Sequence, residues 1–212
     1  MNLFIVIPAY NEQNSISKVI KKCLNHVSNI IVVDDHSSDD TFLKAKLAGA
    51  YVLKLEKNKG YDRALEEGIN LAISLGAEKI LTLDADGQHP TDLIPVFFDT
   101  VKTGEVDLAL GIRNKLPRIS ERVFAVFTNL FFGVSDITCG MKCYSSEIYK
   151  KYGFKSSIKS IGTFLALKIL KNNIGFKTIS VPIRTRLDNS RYGNNILSEL
   201  KILKSLVFSF FY

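Results

Sequence analysis

Cysteine and histidine are scarce in this chain, three of each in 212 residues, and long apolar runs are missing. Cys23, Cys139 and Cys143 offer one C-x-x-x-C spacing and no second ligand pair, which excludes a paired zinc framework and reads as reduced cytosolic thiols. No segment reaches the ~18 apolar residues that a membrane-spanning helix needs. The nearest, Val123 to Val134, is broken by Thr128 and Asn129. The apolar run Leu3 to Ile7 has no basic residue ahead of it and stops at Pro8, so it reads as a strand rather than a signal peptide. Low-complexity tracts and repeats are lacking, which excludes disordered and solenoid classes. Without a helix-turn-helix, zinc-finger or RNP pattern, nucleic acid is not expected as a partner.

What is present is the composition of a folded globular protein, 46% apolar and 23% charged, with room for one sizeable core. The net charge of +7 is uneven: residues 142–212 hold 13 Lys or Arg against 3 Asp or Glu, while the preceding part is mildly acidic. A basic C-terminal third suits anionic lipid headgroups or a phosphorylated substrate. A solvated lysine face is the plain alternative.

Short β-rich runs alternate with helical periodicity. Strands are expected at Leu3 to Ile7, Ile30 to Val33, Tyr51 to Leu55, Lys79 to Leu83 and Asp107 to Gly111. Helices are expected at Ser15 to Val27 with Asn14 as N-cap, Thr41 to Ala48, Asp62 to Leu75 and Leu93 to Thr103. This order predicts an α/β fold with a mostly parallel central sheet flanked by helices, because right-handed β-α-β crossovers return each strand in the same direction. The strand-end polar residues then gather on one edge, where open α/β sheets bind ligands. Beyond Arg113 the pattern predicts helices at Ile119 to Phe132 and Ser160 to Lys171, a strand at Lys177 to Arg186 made an edge strand by Pro182, and a final amphipathic helix. The catalytic domain is thus expected at 1–194. Residues 195–212 form the amphipathic helix, whose apolar end suits a core, a partner or a membrane interface.

The segment Leu83-Asp84-Ala-Asp86-Gly-Gln88-His-Pro90 carries most of the chemistry. Two carboxylates at the mouth of a parallel sheet suit a hard cation such as Mg2+ or Mn2+ clamped on a diphosphate, with Gln88 as a third oxygen. Because Asp84 and Asp86 alternate along the strand, a bend after Leu83 is required, and Gly87 and Pro90 can supply it. Asp35, just beyond the second strand, can accept hydrogen bonds from a base or ribose. The competing reading is a helix N-terminal acid, a part better suited to Asp39 or Asp40. Arg113, Arg118 and Arg122 offer planar forks for a phosphate, with surface ion pairing as the alternative. His36 and His89 read as turn residues and His26 as part of a helix end.

Val6-Ile-Pro8-Ala-Tyr10-Asn-Glu12, Val32-Val-Asp34-Asp35-His-Ser-Ser-Asp39, Asn58-Lys-Gly60, the Asp84 to Pro90 segment, Gly111-Ile-Arg113 and Asp136-Ile-Thr-Cys-Gly140 occur in one ordered set. Together they resemble the inverting family-two glycosyltransferases, and among them the dolichyl-phosphate mannose synthase type, over roughly residues 3 to 193. The resemblance implies a single Rossmann-like nucleotide-sugar domain of GT-A type. It implies a metal held by Asp86 and Gln88, with Asp84 beside the ribose and diphosphate. A nucleotide pocket of Pro8, Tyr10, Glu12 and Asp35 is implied too, with backbone contacts from Val33 and Ala85. The implied activity moves a hexose from GDP-mannose or a UDP-sugar onto a dolichyl or undecaprenyl phosphate at the cytoplasmic face of a membrane. Arg113 is implied at the acceptor phosphate together with Asp84 and Asp86 as the catalytic set, and Arg122 or Arg118 assists.

Departures from the pattern are specific. The usual basic flap is replaced by Ser190-Arg191-Tyr192-Gly193-Asn194-Asn195-Ile196, which leaves Arg191, Arg184 or Arg186 to cover the diphosphate. Asp62 stands where a second Gly is usual, and Lys142 where an Arg is frequent. Rival readings are a haloacid-dehalogenase-like phosphohydrolase, which would need the Asp-x-Asp-Gly on its first strand, and a non-catalytic nucleotide-sugar or lipid-binding homologue.

Overall fold

The computed structural model describes residues 1–153, 161–184, 199–200 and 203–204. Its chain order is β1 (Leu3–Ala9), α1 (Ile16–Leu24), β2 (Asn29–Asp34), α2 (Thr41–Leu47), β3 (Tyr51–Lys54), α3 (Tyr61–Ser74) and β4 (Lys79–Thr82). A 3-10 turn (Thr91–Leu93) leads into α4 (Ile94–Lys102), then β5 (Leu108–Arg113), α5 (Ile119–Phe132), β6 (Lys142–Ser145), α6 (Ser146–Tyr152), α7 (Ile161–Lys171) and β7 (Phe176–Val181).

The strands form one seven-stranded sheet in the order β3-β2-β1-β4-β6-β5-β7. β1 pairs in parallel with β2 and β4, β2 with β3, and β5 with β7, whereas β6 lies antiparallel between β4 and β5. The sheet is therefore mostly parallel, as the crossover pattern requires. β4 and β5 are separated by a strand that the alternation did not reveal. The segment Asp136 to Tyr144 lacks a β-branched run and puts Lys142 in the strand, so neither propensity nor periodicity marks it.

Both faces of the sheet are covered, which explains why β1 and β2 are almost continuously apolar instead of alternating. On one face Val6, Val33, Leu65, Ile69, Phe124 and Leu167 pack sheet against α3, α5 and α7. On the other, Ile5, Ile7, Ile16, Ile20, Phe97 and Val101 pack it against α1 and α4. The α1 stripe of Ile16, Val19, Ile20 and Cys23 is buried as its spacing predicts.

Details differ at the ends. The residue capping α1 is Ser15, not Asn14, and its hydroxyl turns back to Glu12 instead of forward into the helix. Asp39 holds the start of α2, its Oδ1 accepting from Thr41 N at 2.9 Å. β7 lies at the sheet edge, with Pro182 just past its end. Of the segments expected beyond it, Arg186, the flap with Arg191, and most of the 195–212 helix lie outside the described residues.

β1 leads outward to β2 and β3, and the chain then restarts on the opposite side of β1 with β4. That reversal is the topological switch point. Beyond the carboxyl ends of β1 and β4 a crevice is expected, and there the loops after β1, β2 and β4 converge.

Candidate active site

The loops at this rim are tied together by carboxylates. The end of β2 supplies Asp34 and Asp35, both buried. Asp34 Oδ1 accepts from Ser37 N at 3.1 Å and orders the turn before α2. Asp35 N donates to Ala9 O at 2.9 Å, continuing the β1–β2 ladder. Its carboxylate accepts from Lys59 N at 2.7 Å and Gly60 N at 2.8 Å, which fixes the loop ahead of α3. The register places Pro8 opposite Val33, so those two backbone positions meet at the rim.

The β1 loop is knitted to the β2 loop. Asn11, held at φ 53, donates from its backbone N to Ser37 Oγ at 2.9 Å and accepts from Ser38 N at 2.9 Å. Tyr10 stands partly exposed beside these contacts. Glu12 is buried: its carbonyl accepts from Ser15 N and Ile16 N, and its Oε2 accepts from Ser15 Oγ at 2.9 Å. Glu12 thus shapes the entry to α1 at this rim.

After β4 the chain bends at Gly87, whose φ of +76 a side chain would strain. Asp86 Oδ1 accepts from Gln88 N at 3.0 Å, and Ala85 is buried between the two acids. Asp84 Oδ1 accepts from the Tyr61 hydroxyl at 2.9 Å, and Asp84 Oδ2 lies 3.8 Å from His89 Nε2. Gly140 closes over the same carboxylate, since a Cβ there would fall 2.4 Å from both Asp84 oxygens. The Asp35-held Gly60 directly precedes Tyr61. A continuous run of hydrogen bonds therefore joins the end of β2 to the end of β4.

Gln88 faces the chain after β7. Arg184 N donates to Gln88 O at 3.0 Å and Gln88 Nε2 donates to Arg184 O at 3.2 Å. The structure thereby brings one of the flap arginines to the acidic turn, with Arg184 Nη2 3.4 Å from Asp92 Oδ2.

Arg113 ends β5 in a dense network. Its Nε reaches Asp136 Oδ2 at 2.7 Å, its Nη2 reaches Asp136 Oδ1 at 3.1 Å and Thr138 Oγ1 at 2.6 Å, and its Nη1 lies 3.5 Å from Glu121 Oε1. Burial opposes both charges of the pair, but the hydrogen bonds and mutual attraction prevail, raising Arg113 and holding Asp136 below the usual carboxylate range. Arg122 is exposed, with Nε on Leu116 O at 3.0 Å, and Arg118 is partly buried at the start of α5.

Several residues have roles at the rim that their motifs alone do not assign. Tyr61 and Gly140 touch Asp84 directly, and Asp136 holds Arg113. His89, read as a turn residue, is buried against Asp84 and Cys139; burial disfavours its charge, but Asp84 and then Cys139 outweigh it and push it up to about 9. Lys142 is buried with Nζ on Cys139 O, and that burial lowers it despite nearby acids. The ordered motif Asp136 to Gly140 was the available signal for this second wall of the site.

Among the described residues, no cluster of three His, Cys, Asp or Glu side chains is arranged to hold a metal unaided. An Mg2+-type ion does not require one, since it takes one or two carboxylates and completes its shell with substrate phosphate and water. Asp84, Asp86 and Gln88 supply hard oxygen donors of that kind at one turn, so the residues fit such an ion.

An open α/β sheet with its carboxylates massed at the switch point defines the general class. The chain belongs to glycosyl transferase family 2, which residues 4–153 match, and it is a glycosyltransferase. It is 34% identical to an uncharacterized protein of Methanocaldococcus jannaschii over 97% of this chain and 90% of that one. It is 28% identical to the UDP-N-acetylglucosamine–dolichyl-phosphate N-acetylglucosaminyltransferase of Methanococcus voltae, over 97% and 94% of the two chains. Glucosyl-3-phosphoglycerate synthase from Mycobacterium tuberculosis, crystallised with Mn2+, UDP and phosphoglyceric acid, shares the fold with TM-score 0.78 at 17% identity, over 99% of this chain and 77% of that one.

Proposed function

We propose that this protein transfers a hexose from a nucleotide-diphosphate sugar, GDP-mannose or a UDP-sugar, to a polyprenyl phosphate, in a reaction that depends on Mg2+ or Mn2+. The observation that carries the reading is the tie from Asp35 through Gly60 and Tyr61 to Asp84, which links a candidate nucleoside-binding carboxylate and a candidate diphosphate-binding carboxylate along one rim of the sheet. The dolichyl-phosphate relative supports the acceptor class.

In this reading Pro8, Tyr10, Glu12, Val33 and Asp35 receive the nucleoside, and Asp84, Ala85, Asp86 and Gln88 face the diphosphate. Asp84, Asp86 and Gln88 would hold the cation. When bound, that cation neutralises charge on the departing nucleoside diphosphate. The acceptor is a phosphate monoester with a second pKa near 6, so it is already a nucleophilic anion at neutral pH and needs no general base. A phosphate oxygen forms the new bond to the anomeric carbon. The old carbon–oxygen bond breaks, its electron pair leaves with the diphosphate, and the anomeric centre inverts in one displacement. No catalytic histidine is called for. The protein's contribution is alignment and charge stabilisation.

Arg122 is exposed and would meet an incoming phosphate, with Arg118 one helical turn before it. Arg113 holds the Asp136 loop and would act on the acceptor phosphate as a fixed positive charge at the end of β5. Arg184 and Arg191 would close over the donor. A lipid acceptor places the enzyme on the cytoplasmic surface of a membrane, through the 195–212 segment or an anchoring partner. No helix among the described residues is long and apolar enough to cross a membrane.

The test is incubation of the purified chain with labelled nucleotide sugars, polyprenyl phosphate and Mn2+. A solvent-extractable glycolipid should form, chelator should abolish it, and Asp86→Ala should lower the rate by a factor of about 100 or more. Full activity of Asp86→Ala would remove the assigned metal role. Donor binding without transfer to any acceptor would favour a binding homologue. The phosphohydrolase alternative fails on topology, because Asp84 follows the fourth strand.

A further inference from the structure

The buried stripe of α3 overruns the sheet. Ala64, Leu65, Gly68, Ile69 and Ala72 are its buried residues, and Tyr61 falls on the same helix face, three, four and seven positions before the first of them. Gly68 sets how close the helix lies. A Cβ there would fall 2.5 Å from Val6 Cγ1 and 2.8 Å from Val33 Cγ2, so the glycine lets α3 rest directly on β1 and β2. The seven helical residues from Gly68 back to Tyr61 rise about 10 Å toward the carboxyl ends of the strands, and three strand residues beyond Val6 cover about the same distance. Tyr61 therefore stands level with the end of β1, over the rim instead of over the sheet. Val6 pairs with Thr82, so Asp84 follows at the same level.

Both ends of Tyr61 are fixed. The chain ahead of it is pinned where Gly60 N donates to Asp35 Oδ2 at 2.8 Å, and its hydroxyl donates to Asp84 Oδ1 at 2.9 Å. Burial first, and Asp84 second, push that hydroxyl well above the ordinary phenol range, so the tip of the side chain is desolvated. The residue is nevertheless 38% exposed. A side chain enclosed at its tip and open along its flank presents a rigid, planar, apolar surface beside the acidic turn. Holding Asp84 uses only the hydroxyl and leaves that surface without a task.

We propose that the Tyr61 ring is the platform for the hexose of the donor, with the C–H face of the pyranose laid on the ring while the Asp84 to Gln88 turn carries the diphosphate. The proposal rests on the transfer reaction proposed above and names the residue that holds its sugar. Among the parts of the donor, the hexose has C–H groups that suit an aromatic face of partial negative charge, whereas an anionic diphosphate is repelled by it. The nucleoside belongs to the other end of the rim, where Asp35 and the half-exposed ring of Tyr10 stand. Because Tyr61 is already held at both ends, contact with the sugar costs it little further conformational freedom. A stacked nucleobase is the competing occupant, and one experiment separates the two.

The full chain is titrated calorimetrically, in the presence of Mn2+, with GDP and GDP-mannose and with UDP, UDP-glucose and UDP-N-acetylglucosamine. The donor that binds the parent most tightly is carried forward with its nucleoside diphosphate. The ratio of those two dissociation constants isolates the sugar, since nucleoside, diphosphate and cation are common to both ligands. Tyr61→Leu should move the ratio against the sugar-bearing ligand by about fivefold or more. Tyr61→Phe keeps the ring and loses the bond to Asp84, so it should weaken both ligands and leave the ratio within about twofold of the parent. Thermal midpoints establish that each variant is folded. An unchanged ratio in Tyr61→Leu would overturn the proposal, and equal weakening of both ligands there would put the nucleoside on the ring. A ratio lost to the same extent in both variants would overturn it as well, because the hydroxyl would then be what senses the sugar. A parent that binds no nucleoside diphosphate with Mn2+ would sink the transfer reading itself, whereas a parent that binds one while the Tyr61→Leu ratio holds would sink the platform alone.

Discussion

Replacing Asp136 by Asn keeps the shape of the side chain and removes its charge. Asp136 is buried, and both of its oxygens are occupied: Oδ2 accepts from Arg113 N at 3.1 Å and Nε at 2.7 Å, and Oδ1 accepts from Arg113 Nη2 at 3.1 Å, Thr138 N at 3.0 Å and Thr138 Oγ1 at 2.8 Å. Whichever way an amide turns, its NH2 faces at least two donors. The variant also leaves the Arg113 guanidinium, with 14% of its side chain exposed, without its main counter-charge. Breaking one side of a buried pair costs about 3–5 kcal/mol, and the residual exposure of Arg113 places this site near about 3. For a chain of this size that lowers the thermal midpoint by about 6–12 °C. The sign with pH follows from the depressed Asp136 value: its stabilisation is present above the unfolded carboxylate pKa of about 3.9 and is lost as pH falls through the lower folded one. The stability gap between parent and Asp136→Asn, measured by urea unfolding, should be level from pH 7 to about 5 and narrow below about 4. A gap under about 1 kcal/mol at pH 7 would refute the reasoning, as would one that does not change with acid.

Gly140→Ala puts a methyl group 2.4 Å from both Asp84 oxygens, while Thr82 Oγ1 holds Gly140 O at 2.6 Å, so the carboxylate must yield. Overpacking of this kind should cost about 1–3 kcal/mol of stability, and the thermal shift given by Mn2+ with nucleoside diphosphate should largely disappear. Tyr61→Phe removes one hydrogen bond to Asp84 from a partly exposed ring. It should lower stability by about 1 kcal/mol and raise the donor KM several-fold with a smaller change in kcat, and unchanged kinetics would show that Tyr61 does not position Asp84.

The first half of the fold is legible because its signals are local. Buried runs mark β1, β2 and β4 within a residue or two, and the apolar spacing of α1 marks that helix within three. The hidden parts depend on contacts between distant residues. β6 is held by β4 and β5, and Lys142 within it is paired by tertiary structure that no window of sequence contains. The same holds for the site. Asp35, Asp84, Asp86 and Gln88 stand in recognisable motifs, but Tyr61 meets Asp84 across 23 positions and Arg184 meets Gln88 across 96. Asp62, which departs from the family pattern, falls in the first turn of α3, where a carboxylate favours the helix dipole.

Charge bookkeeping at the rim gives an argument for a cation that is independent of resemblance. Glu12, Asp34, Asp35, Asp84, Asp86 and Asp136 gather near one sheet edge, and a nucleoside diphosphate adds further negative charge. The positive groups nearby are largely committed: Arg113 to Asp136 and Glu121, and Lys142 to Cys139 O in a buried position. The Asp35 charge is partly neutralised by the Lys59 and Gly60 N–H groups, which leaves the burden at Asp84 and Asp86. Asp84 Oδ2 lies 3.8 Å from His89 Nε2, and the Lys142 ammonium is held on Cys139 O. Bringing a diphosphate to that turn without a divalent ion would set like charges together in a partly desolvated crevice, where repulsion is least screened. Donor affinity should therefore depend steeply on Mg2+ or Mn2+ in the parent chain.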